Sequence, residues 1–73
     1  MKVHYCLRMD VILREDGVLY IAYGLDAVDA DGRILRSVPD VLLDRQRVMD
    51  LIDRCNALEL SLIHLDDVIE DLL

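Results

Sequence analysis

Seventy-three residues with a formal net charge of −7 allow one small domain, residues 1–73, which buries only about 60% of the surface its unfolded chain exposes. The acidic balance excludes nucleic-acid phosphates and anionic membrane surfaces as partners, because the longest basic cluster is Arg45-Gln46-Arg47. No apolar run approaches the ~20 residues of a membrane span, and the first residues lead into alternating polarity rather than a signal-peptide block, so a cytoplasmic protein with Cys6 and Cys55 as free thiols is expected.

The first element is a strand. Val3, Tyr5, Leu7, Met9, Val11 and Leu13 are apolar at every odd position, while Lys2, His4, Arg8, Asp10 and Arg14 take most of the even ones. Glu15-Asp16-Gly17 supplies hairpin-turn chemistry. A second strand, within Val18 to Ala30, keeps Leu19, Ile21, Tyr23, Leu25 and Ala27 on one side. Gly24 in its middle signals either a bulge or a close backbone approach. Asp29-Ala30-Asp31-Gly32 is a second turn, and Arg33 to Val38 reads as a shorter third strand. Pro39 and Asp40 are expected to stop the sheet.

Two helices follow. Asp44 is a suitable N-cap for a helix with Val48, Leu51, Ile52, Cys55 and Leu58 on its apolar stripe. After a short Glu59-Leu60 connection, Ser61 is placed to cap a second helix with Leu62, Leu65, Ile69 and Leu72 inward, and Asp66, Asp67, Glu70 and Asp71 outward. The expected fold is therefore α+β: a three-stranded antiparallel meander with two antiparallel helices packed on one face, βββαα in two layers. The odd face of the sheet is expected to lie under the helix pair. The even face, with Ile12, Val18, Tyr20 and Val28, is left open as a candidate docking or homodimer surface.

The wording of Cys55-Asn56, Leu58-Glu59-Leu60-Ser61, His64-Leu65 and Asp67-Val68-Ile69-Glu70-Asp71, together with Tyr23-Gly24 and Asp44, resembles a family of short bacterial proteins. That family occurs chiefly in clostridial-type Firmicutes and is catalogued as a domain of unknown function. The likeness is specific in the last twenty residues, and departs from the family where a proline commonly follows the serine and this chain has Leu62. The resemblance implies a bacterial cytosolic protein and brings no catalytic residue or cofactor with it.

Chemistry-bearing residues are sparse. His64 with Asp67 can begin a metal site, but no second strong ligand is placed by spacing. His4, Cys6, Cys55 and His64 fall on opposite sides of the expected sheet and do not have zinc-finger spacing. No nucleophile–base arrangement or phosphate loop can be assembled, so no catalytic residue, metal or cofactor is assigned and an enzyme is not expected.

What stands out is charge. The last eighteen residues hold five carboxylate side chains and no Lys or Arg, with acids at the helix end where the macrodipole is already negative. Arg45 and Arg47 at the start of the first helix are expected to answer Glu70 and Asp71 across the pair. Asp66, Asp67, Glu70 and Asp71 are the candidate partner-binding residues. The expected function is a small protein-interaction or regulatory module that offers a protein partner, basic in character, either this acidic face or the open sheet face. The alternative is an antitoxin-like inhibitor or nucleic-acid mimic, which requires these acids and Asp26, Asp29 and Asp31 to share one surface.

Overall fold

A computed structural model describes residues 2–73. Three antiparallel strands, β1 (His4–Leu13), β2 (Leu19–Val28) and β3 (Ile34–Leu42), form a sheet in the order β1-β2-β3. They are followed by α1 (Arg45–Ala57), a 3₁₀ turn (Leu62–His64) and α2 (Leu65–Leu72). This is the α+β meander with two helices that the alternation and the 3.6-residue periodicity imply.

The two hairpins share one construction. Gly17 N–H donates to Arg14 C=O and Arg14 N–H to Val18 C=O. Gly32 and Asp29 repeat this with Asp29 and Arg33. Each is a three-residue loop closed by a glycine at positive φ. Aspartates brace both loops: Asp16 accepts from Val18 N–H, and Asp29 from Asp31 and Arg33 N–H. β1 and β2 pair without interruption from His4↔Val28 to Leu13↔Leu19.

The third strand differs from expectation. Pro39 and Asp40 do not stop the sheet, because β3 continues to Leu42. Leu25 pairs with Val38 and Tyr23 with Leu42, so Gly24 alone faces Pro39, Asp40 and Val41. The bulge lies in β3 and spares Pro39 a ladder hydrogen bond it has no N–H to make. Gly24 is the close approach that permits it. A Cβ there would overlap the Val38 carbonyl oxygen and lie 3.0 Å from Pro39 Cα.

α1 begins as the sequence implies, with the Asp44 carboxylate accepting from Gln46 and Arg47 N–H. Val48, Leu51, Ile52 and Cys55 are its buried stripe, and burial pushes the Cys55 thiol pKa up. Leu58, expected on that stripe, is instead the exposed C-cap. Beyond it, Leu60 N–H donates to Cys55 C=O and Glu59 N–H to Asn56 C=O, with Glu59 in the left-handed region. That is a Schellman ending built without glycine. Ser61 makes no side-chain cap; its carbonyl accepts from His64 N–H in a tight 3₁₀ turn, so α2 starts only at Leu65. Among the described residues no helix is long and apolar enough to cross a membrane.

The core gathers Tyr5, Leu25 and Ala27 from the sheet, Val41 from the end of β3, the α1 stripe, and Leu65 and Ile69 from α2. A reciprocal clamp ties its two ends together. The Asn56 side chain accepts from Tyr5 N–H at 2.8 Å and donates to Tyr5 C=O at 2.9 Å, pairing with the edge of β1 as another strand would. The buried Tyr5 hydroxyl donates to Leu60 C=O at 2.8 Å, just past the Schellman turn.

Asn56→Ala removes both clamp bonds and is expected to cost about 1–3 kcal/mol, lowering Tm by roughly 4–8 °C per kcal/mol in a domain of this size. Asn56→Asp should not restore it, since a carboxylate cannot donate to the Tyr5 carbonyl; thermal denaturation of the three proteins checks this. Gly24→Ala, forced against β3 backbone that cannot give way as a side chain would, should destabilise by about 1–3 kcal/mol or more. Urea unfolding that finds this variant as stable as the parent would remove the close-approach account.

Candidate functional site

The acidic face of α2 is the first surface to consider. Asp66, Asp67, Glu70 and Asp71 are all exposed along it, but they are not equivalent. Asp66 forms an ion pair with Arg36 of β3. Arg36 stands opposite Ala27, on the odd face, so its side chain rises from the sheet to the helix layer. Its hydrogen bond holds the Asp66 carboxyl below the usual carboxylate range. A partner for Asp66 is thus supplied by the chain itself, through a contact across thirty positions that neither helix periodicity nor strand alternation marks.

The expected pairing of Arg45 and Arg47 with Glu70 and Asp71 is not formed. Arg47 instead donates to the Leu72 carbonyl at 3.4 Å. The antiparallel helices do bring the start of α1 to the end of α2, but the arginine answers the orphan carbonyls of the helix end rather than its carboxylates. No ion pair involving Asp67, Glu70 or Asp71 occurs among the described residues.

Not all of the acids named for a nucleic-acid mimic share a surface. Asp26 sits on the even face, paired with Cys6, and takes part with Asp10 and Ser37 in a network around Arg8. Asp29 is occupied in the β2–β3 turn, while the α2 acids stand over the odd face. That Arg8 network also divides the even face. Ile12 and Tyr20 pair at one end of β1–β2 and Val28 lies opposite His4 at the other, so the apolar residues expected there form no single cluster.

The open apolar surface lies on the odd face. Met9, Val11, Leu13, Leu19 and Ile21 alternate in register, Val11↔Ile21 and Leu13↔Leu19, and are 46–69% exposed. The helices cover only the half of this face that carries Tyr5, Leu25 and Ala27, contrary to the expectation that they cover all of it. The cause is length. A ten-residue strand spans about 33 Å, whereas α1, about 20 Å long, crosses all three strands instead of running along one. The molecule is accordingly elongated, 43 × 26 × 18 Å. β3 also ends opposite Tyr23, leaving Val11–Leu13 and Leu19–Ile21 as a two-stranded ribbon beyond it. The alternation contained this signal; what it did not contain was how far the helices reach.

Between α1 and α2 lies a groove of about 330 Å³ lined by Leu51, Cys55, Leu58, Val68, Arg47 and Arg54 among others, without His64. No group of three or more His, Cys, Asp or Glu side chains converges among the described residues. Compared with protein-family models, curated proteins and solved structures, the chain matches none.

Because the folded-state pKa of Asp66 lies below its unfolded value of about 3.9, the pairing with Arg36 contributes stability above that pH which is lost as pH falls through the folded pKa. Arg36→Gln should return the Asp66 carboxyl titration, followed by NMR, to the ordinary aspartate range. An unchanged titration would show that the two side chains do not meet in solution.

Proposed function

We propose that the chain is a small protein-interaction module whose contact surface is the bare apolar half of the odd sheet face. The carrying observation is the aligned exposure of Met9, Val11, Leu13, Leu19 and Ile21 in a chain this acidic. Contiguous apolar surface of this kind is costly to leave in water and marks contact sites in soluble proteins. Isolated surface leucines are ordinary, but five alternating residues on two paired strands are a surface, and no charged side chain interrupts them. The exposed acids of α2 suit a different task. They keep the chain soluble and repel wrong partners, setting which molecules approach rather than how tightly they hold.

Binding through an apolar face is not released by salt, whereas binding through carboxylates is. Immobilised protein is expected to retain its partner from a native lysate at both low and high salt, and to lose it on Val11→Glu with Ile21→Glu. Retention should survive Asp67→Asn with Glu70→Gln and Asp71→Asn. The opposite pattern, loss with the α2 variant and retention with the sheet variant, would transfer the function to the acidic helix.

A further inference from the structure

Resting on that reading of the sheet face, we propose that its occupant is a second copy of the same chain, packed face to face about a two-fold axis through the Val11–Ile21 region. The area fits. Met9, Val11, Leu13, Leu19 and Ile21 still expose on the order of 500 Å² of apolar surface. That is most of the roughly 800 Å² one partner contributes to a standard interface, with half-buried Leu7 and Tyr23 and the strand backbone supplying the remainder.

The shape fits as well. A helix with its side chains is about 10 Å thick, close to the ~10 Å spacing of two packed sheets. A partner's hairpin laid on the bare half therefore occupies the layer that α1 and α2 leave vacant. By symmetry the first copy's hairpin fills the same vacancy in the partner. Two half-covered sheets become one continuous two-layer body, and every contact is made twice, as an isologous interface requires.

The hairpin itself points the same way. Beyond Tyr23 it has no third strand, and a two-stranded ribbon is marginal in water unless something covers its apolar side. Pairing along the free edge of β1 is the competing geometry, but it satisfies main-chain groups and leaves the exposed side chains in water. A face-to-face dimer covers them.

Charge gives this association a signature. Two copies, each at −7, repel one another, so screening should strengthen the dimer, whereas a basic partner held by carboxylates would be released. Sedimentation equilibrium is expected to give twice the chain's 8.4 kDa, with a dissociation constant in the micromolar range that tightens as salt is raised. Ile21→Glu and, independently, the more exposed Leu19→Glu should weaken association at least tenfold while leaving the far-UV circular dichroism unchanged. Neither residue lies on β1, so these variants do not obstruct β1 edge pairing.

A protein monomeric at millimolar concentration, or a dimer indifferent to Ile21→Glu and Leu19→Glu as one paired along the β1 edge would be, would overturn the proposal. A monomer that still retains a foreign partner through Val11 and Ile21 would overturn self-association alone and leave the interaction surface standing.

Discussion

The position of α1 decides everything else about this molecule's surface. Its start is set by the two residues, Leu43 and Asp44, that separate it from β3, whose last residue stands opposite Tyr23. Its end is set by Asn56 on the backbone of Tyr5, and by the Tyr5 hydroxyl on Leu60 just beyond. Between these points thirteen residues run diagonally back over the sheet, and α2 returns beside them. The helix layer is consequently pinned over one half of the odd face. A chain with a longer connection after β3, or without the Asn56 amide, would have no reason to leave the other half bare.

The basic residues are placed with similar economy. Arg8 serves the three-strand network of the even face, Arg36 engages Asp66, and Arg47 meets the last carbonyls of α2. Each is at the surface, where such contacts are screened by water and weakened by salt. They arrange charge more than they hold the fold, which rests on the Tyr5, Leu25, Leu51 and Leu65 core and on the Tyr5 clamp. What they leave over, Asp67, Glu70 and Asp71 on α2, is a negative surface well separated in kind from the uncharged face of the hairpin.

That separation gives the molecule two surfaces with different physics. One is charged, solvated and long-ranged in its effects; the other is apolar and works only in contact. Cooperation follows from the division, because carboxylates that discourage non-specific association allow an apolar face to be displayed without uncontrolled aggregation. The hairpin twist and the charged turn at Arg14, Glu15 and Asp16 blunt its edge in the same sense.

By itself the sequence determined the elements. Alternation wrote β1, the Asp-Gly turns wrote the meander, and the Val48, Leu51, Ile52, Cys55 spacing with Asp44 before it wrote α1, because these depend on local geometry that a few neighbouring residues control. It also contained the apolar half-face, residue by residue. Tertiary structure alone decided that β3 continues through Pro39, because the room for its bulge comes from a missing Cβ at Gly24 on the neighbouring strand. It decided that Arg36 rather than Arg45 or Arg47 faces the α2 acids. And it decided which half of the odd face is covered, because that follows from the length of one helix and from where its two ends are held, quantities no periodicity carries.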